Sequence, residues 1–352
     1  MSQRSILYFL IFTSLIAQCP HAWAQLDERD SLVKAERDSI HKAYINEYHD
    51  KFYIKPILTS RNLNLELQNR DNQINDIEYK PNGTAYFGLG LYFFDIGLEV
   101  AIKLPDETGR DAEIFGETDI FDFQTNIYSK KWGADIAYQR YSGFYLEDPD
   151  RHIPSWNRGD PFPQRDDLRL FNFQLNVFYI FNHNRFSFRS AYNQSDRQLR
   201  SSGSFLMNLF TGTTTFRADS ILIPEEELMF FGDEGRLDFG RFSTLALLPG
   251  YTHNFIIDRF YLNASLSVGP GHLWVRHDVD DRIKNDINIK PVVNLRTAVG
   301  YNSDSFFGGL SFVSQNVNAT IGELDVRSFS GNFKVFMGYR FQEKGFLTKK
   351  LF

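Results

Sequence analysis

Residues 168–181 read Leu-Arg-Leu-Phe-Asn-Phe-Gln-Leu-Asn-Val-Phe-Tyr-Ile-Phe. Side chains of a β-strand point alternately to opposite faces. Phe171, Phe173, Leu175, Val177, Tyr179 and Phe181 therefore share one face, while Asn172, Gln174 and Asn176 lie on the other. The apolar stripe is about as tall as the hydrocarbon layer of a bilayer, and the amides opposite it need water or one another. This combination predicts a transmembrane β-strand, apolar towards lipid and polar towards a lumen.

The pattern recurs along the chain. Phe87, Leu89 and Leu91 form one stripe; Val100 and Ile102 oppose Glu99 and Lys103; Phe121, Phe123 and Ile127 oppose Asp122, Gln124 and Asn126; Trp132, Ile136 and Tyr138 oppose Asp135 and Gln139. Further on, Phe260, Leu262 and Leu266 oppose Asn263 and Ser265, and Phe333, Val335, Met337 and Tyr339 oppose Lys334 and Arg340. So many strands with a wet second face favour a barrel lumen over a soluble sandwich. After the N-terminus no apolar run has the length of a membrane helix, so a spanning chain requires a closed sheet. The 35 Phe and 17 Tyr suit a lipid-facing band with aromatic girdles.

At the N-terminus, Arg4, the apolar run Ile6 to Ile16 and Ala22-Trp23-Ala24 before Gln25 make a secretory signal. Residues 1–24 are the expected signal peptide, 25–50 a periplasmic lead-in helix carrying Val33, Ile40, Tyr44 and Tyr48 at helical spacing, and 51–352 an outer-membrane barrel. The single cysteine, Cys19, falls within the signal, which excludes disulfides, thiolate metal sites and cysteine nucleophiles from the processed chain. Removing the signal takes away one cation and moves the net charge from -6 to -7, a balance that argues against nucleic acid.

Connections alternate between short turns, near Phe94-Asp95, Lys130-Lys131, Asn182-His183-Asn184, Asp258-Arg259 and Ser303-Asp304, and long polar loops, near 60–82, 104–117, 146–166, 274–288 and 317–327. Short turns belong on the periplasmic side. The expected fold is all-β: an antiparallel up-and-down transmembrane barrel with an even strand number. Fourteen strands are preferred, with two drawn from Ser195 to Gly240 on either side of a turn at Gly212. In the twelve-strand alternative that segment folds into the lumen as a plug.

Little in the chain points to catalysis. No histidine is followed two residues later by serine, the pairing of outer-membrane lipid hydrolases, and His277-Asp278-Val279-Asp280-Asp281 reads as a solvated acidic loop tip. No catalytic, cofactor-binding or metal-binding residue is assigned, and no cofactor is expected. Inward charges are the better lead: Glu99, Lys103, Asp135, Arg296, Lys334 and Arg340 form either a paired lumen network or a solute path. The most distinctive polar run extends from Arg189 to Phe205. Its Arg189, Asn193, Gln194, Arg197, Gln198 and Arg200 bracket a predicted outward-facing turn, where they either contact an anion such as lipopolysaccharide or pin the hairpin as scaffold.

That run, together with Tyr79-Lys80-Pro81-Asn82, Gly88-Leu89-Gly90, Pro249-Gly250-Tyr251 and the Ala218 to Pro224 segment, resembles a Bacteroidota family of outer-membrane barrels called domain of unknown function 4421. The resemblance implies a barrel, a Gram-negative outer membrane and no assigned activity. A narrow pore or a structural surface barrel is the expected role. The alternatives are an enzyme acting on outer-leaflet lipid or polysaccharide, and an assembly partner docking another periplasmic protein through the N-terminal helix. Outer-membrane lipid, lipopolysaccharide and the barrel-assembly machinery are the implied partners.

Overall fold

A computed structural model describes residues 32–70, 76–83, 85–93, 96–104, 110–231, 233–279 and 282–343. The signal at 1–24 and the start of the lead-in lie outside the described residues. The chain opens with a helix, α1 (32–44), and a short strand, β1 (Ile45–Glu47). The wall then begins with β2 (Lys51–Asn69), β3 (Ile77–Lys80), β4 (Ala85–Phe93) and β5 (Ile96–Lys103). A short helix α2 (Arg110–Phe115) leads to β6 (Asp119–Tyr128) and β7 (Trp132–Leu146). Beyond α3 (Pro149–His152) come β8 (Gln164–Ile180), the small pair α4 (Arg189–Tyr192) and β9 (Asp196–Gln198), and β10 (Ser202–Arg217). Five long strands finish the wall: β11 (Leu237–Ile257), β12 (Phe260–Val279), β13 (Arg282–Asn302), β14 (Phe306–Ile321) and β15 (Leu324–Gln342).

Every pairing in the wall is antiparallel, and β15 closes onto β2 over a long register that includes Leu324↔Asn69 and Gln342↔Lys51. Thirteen strands share this sheet among the described residues, and ten of them form a closed ring: β2, β3, β7, β8 and β10 to β15. The expected fourteen are not found. β3 and β4 are two pieces of one traverse, broken at Pro81-Asn82-Gly83, where proline has no N–H to give and Gly83 has φ +73. The thirteen strands therefore make twelve traverses.

The route to twelve differs from the one expected. Residues 202–217 form one strand, because Gly212 does not turn the chain: it stays in the ladder, opposite both Gln174 and Thr244, with the Phe210 ring against it. The plug is 181–201 instead. Phe186, Phe188 and Ala191 there are buried, and β9 leaves the wall to pair with β1. The stretches 274–288 and 317–327 are no long loops, since β12, β13, β14 and β15 run almost to their ends. His277-Asp278-Val279 is thus the end of β12, with His277 buried, and Asp280-Asp281 lie outside the described residues.

One end of the barrel carries the short turns and both ends of the described chain; it is called the turn end. The opposite, loop end carries, among the described residues, 110–118, 147–163, 218–231 and 233–236. The inward face of β8 shows how the lumen is layered between them. Leu168 and Leu170 sit near the loop end, Asn172, Gln174 and Asn176 in the middle, and Phe178 and Ile180 near the turn end, all buried. Around the ring, Leu63, Leu65, Phe210, Phe216, Phe242, Leu273, Val317 and Val326 join the upper layer into one apolar core. The loop 218–236 closes over it with Leu222, Ile223 and Phe231 buried in the same core. Outward positions such as Phe123, Ile127, Leu209, Leu247, Leu266 and Met337 are exposed, giving the apolar belt its continuity.

Candidate functional site

Between the two apolar layers lies a polar chamber of about 270 Å³. Parity supplies its side chains: Glu99 from β5, Gln124 and Asn126 from β6, Asp135 from β7, Arg296 from β13, Gln315 from β14, and Asn332 and Lys334 from β15. Charges here are matched by partners across the lumen. Glu99 takes Lys55 Nζ on Oε1 at 2.7 Å and Lys334 Nζ on Oε2 at 2.6 Å. Arg296 clamps Asp135 with both terminal nitrogens, Nη1 lying 3.1 Å from Oδ1, and the guanidinium rests 5.1 Å from the Phe178 ring. Asn126, Asn176 and Tyr128 give Asp135 three further hydrogen bonds. Carboxylates so fully engaged are structural counter-ions, for burying a charge is tolerable only when it is paired and hydrogen-bonded.

Below the chamber the plug is tied in by polar contacts. Arg189 is its hub: Nε donates to Asp196 Oδ2 at 2.9 Å and Nη2 to Glu47 Oε1 at 2.8 Å, so one guanidinium joins α4, β9 and β1. Asn302 donates to the carbonyls of Ser190 and Asp196, and Arg340 to those of Gln194 and Ser303. Burial pushes the Glu47 carboxyl up, but hydrogen bonds from His41, His49 and Lys130 and the Arg189 charge outweigh it and hold the group well below its usual range. Asp196 goes the other way, raised by its burial in spite of Arg189.

The wall beside the chamber has a seam. Among the described residues β5 is paired only with β4, and β6 only with β7. Near the loop end the two sides are pinned. Asn82 N donates to Thr118 Oγ1, Thr118 Oγ1 to Gly143 O, and Lys103 Nζ to Thr118 O. Gly143, at φ +88, has the Glu117 carbonyl where a side chain would stand, so this pin needs a glycine. Towards the turn end no backbone pairing joins the two strands among the described residues.

The structure distributes the candidate residues unevenly. Glu99, Asp135, Arg296 and Lys334, and from the polar run Asn193, do converge on the chamber. Lys103 does not; it is exposed at the loop end. Arg340 lies apart, its guanidinium 4.3 Å from the Tyr48 ring and 4.4 Å from the Phe307 ring, against the plug carbonyl of Gln194. The polar run lies at the turn end, where β8 delivers 181–201, and not among the long connections of the loop end. Nor do its arginines converge. Arg189 is buried, Arg197 pairs with Asp304 at 3.3 Å, and Arg200 lies 5.8 Å from the Tyr44 ring. Gln194 and Gln198 are buried, donating to Ala191 O and to backbone carbonyls of 185 and 200, while Asn193 Oδ1 accepts from Ser195. Sequence reasoning missed Gln315 and Asn332 as chamber residues and Lys55 as the partner of Glu99, although their inward parity marks them.

In overall shape the chain is similar to the outer membrane protease OmpT from Escherichia coli, at 9% identity and a TM-score of 0.40, covering 84% of this chain and 98% of that one. It is also similar to Neisserial surface protein A (6% identity, TM-score 0.23, covering 81% and 96%) and to Ail, the attachment invasion locus protein of Yersinia pestis (10%, 0.20, covering 83% and 99%). No curated protein matches the sequence. The model of one family does match it, over residues 36–341, so the chain belongs to the family described as domain of unknown function (DUF4421).

Proposed function

We propose that this is a non-conducting outer-membrane barrel whose lumen holds a small polar binding chamber. The observation that carries the reading is that both axial routes are filled by the chain itself, the loop end by an apolar core and the turn end by the plug. Support for the membrane comes from the exposed apolar belt and from a wall that closes β15 onto β2. The turn end then faces the periplasm, the chain is exported by the signal at 1–24, and barrel-assembly machinery inserts it. The polar run serves as scaffold for the plug. An outer-leaflet enzyme is less well supported, since the chamber carboxylates are locked to cations. So is a docking role for α1, whose Ile40 and Tyr44 are already half-buried.

Planar bilayers test this directly. The purified barrel is expected to insert without conducting ions. Steady single-channel steps from the intact protein overturn the reading.

A further inference from the structure

A strand edge facing lipid leaves its N–H and C=O groups without partners in a solvent that offers none. β5 and β6 each present one such edge among the described residues, and irregular backbone at membrane depth is tolerated where it lines a wet cavity. The chamber is that cavity. Its lining includes Gln124, Thr125, Asn126 and Ile127 of β6, the strand whose unpaired edge borders the seam. With core above and plug below, the way out among the described residues is sideways through the seam. Exposed Val100 and Ile102 on β5 and Phe123 and Ile127 on β6 flank it with apolar surface.

The chemistry inside is unsaturated in one direction. Arg296 and Asp135 cancel, but Lys55 and Lys334 share the single carboxylate of Glu99, two cations against one anion. Lys334 lines the chamber, and an ammonium offers three donors, of which Glu99 takes one. Gln315, only 8% exposed, also lines it, and its Nε2 has no hydrogen-bond partner. A surplus cation and a vacant amide donor together ask for an anion's oxygens.

We infer that the chamber receives, from the lipid phase, the anionic head group of a single-chain amphiphile. The phosphate or carboxylate lies on Lys334 and Gln315, and the acyl chain leaves between β5 and β6 along Thr125 and Ile127. This rests on the membrane-barrel reading above.

The test uses thiol chemistry, because Cys19 is the only cysteine and is replaced by serine in the background. Ser330→Cys places a thiol in the chamber lining, and Ser265→Cys places one in the lumen away from it. In phosphatidylcholine vesicles, a long-chain alkyl maleimide is expected to label Ser330→Cys and leave Ser265→Cys untouched, while a sulfonated maleimide on both sides labels neither. Labelling of Ser330→Cys by the sulfonated reagent, or by neither reagent, overturns the lateral route. Lysophosphatidic acid and a fatty acid of equal chain length are then compared with the neutral monoacylglycerol as competitors. The anionic pair is expected to protect the thiol at about tenfold lower concentration, a preference that Lys334→Gln removes. Which of the two protects better separates phosphate from carboxylate. Equal protection by the monoacylglycerol overturns the anion site. Throughout, the gel shift of unheated protein and its resistance to carbonate extraction are followed; their loss sinks the barrel reading itself, whereas the inference fails with both intact.

Discussion

The two ends of the lumen are both closed, by opposite chemistry. At the loop end, rings and branched aliphatics from the whole ring meet the loop 218–236, and burial of apolar area does the work. At the turn end, 181–201 is seated by a guanidinium shared between two carboxylates, by Asn254 and Asn302 on its backbone, and by a smaller aromatic cluster around Phe188. The apolar packing is non-directional and carries no titrating group of its own, although Arg165 and Asp167 also tie 219–221 down at the rim. The polar closure depends on each partner being present and charged, which makes it the end that can be released.

The largest effect expected is at the loop end. Phe216 is fully buried and packs on Phe242 with ring centroids 5.8 Å apart. Phe216→Ala is expected to cost about 3–5 kcal/mol in urea unfolding of the detergent-solubilised barrel, by lost transfer energy plus the cavity left behind. The cost should be the same at high and low salt. A strong salt dependence breaks the contrast between the two ends.

Arg189→Ala comes next, at about 1.5–3 kcal/mol, because hydrogen bonds to charged groups are lost and Asp196 is left buried without its cation. Its loss should appear first as protease cleavage within 185–200, with the wall intact. The same end should respond to acid. A carboxyl held below its usual value stabilises the fold above that value, 4.5 for glutamate, and the contribution fades as pH falls towards the value in the folded state. Asp304, lowered by its hydrogen bond from Tyr48 in spite of burial, has the same sign, and Asp196, raised, opposes them. Glu47 has the most donors and sets the direction. Cleavage within 185–200 is expected to rise below about pH 4.5, with Glu47→Gln flattening the profile.

The contrast between the ends also separates what the sequence discloses from what it withholds. Which face each strand turns inward is legible, since Phe173 and Leu175 lie outside and Asn172 and Asn176 inside as alternation requires. Depth along the strand was equally visible in Leu168 and Leu170, yet a period of two reports a face and says nothing of what meets it across the lumen. Gly212 was misread because glycine signals a turn and a crowded strand alike. The plug stayed hidden because 181–201 is ordered by contacts with β1 and β13, far away in sequence. The seam is illegible for a related reason: β5 and β6 alternate like paired strands, and whether an edge is bonded belongs to its neighbour.

The smallest effect expected is at Arg197 and Arg200, and it decides whether the polar run is scaffold or an anion site. Arg197 meets Asp304 at 3.3 Å, but that carboxylate is 59% exposed, and pairs open to water are worth about 0–1 kcal/mol. Arg200 shares the Tyr44 ring with Arg185, a contact of similar order when exposed. Neither guanidinium is aimed with Arg189 at a common point, since Arg189 is spent on Glu47 and Asp196. Arg197→Ala and Arg200→Ala should each shift stability by less than about 1 kcal/mol and leave binding of lipopolysaccharide to the vesicle-embedded barrel unchanged. Loss of that binding with the unheated gel shift preserved restores the anion site and makes the turn end, rather than the chamber, the place where this barrel meets a ligand.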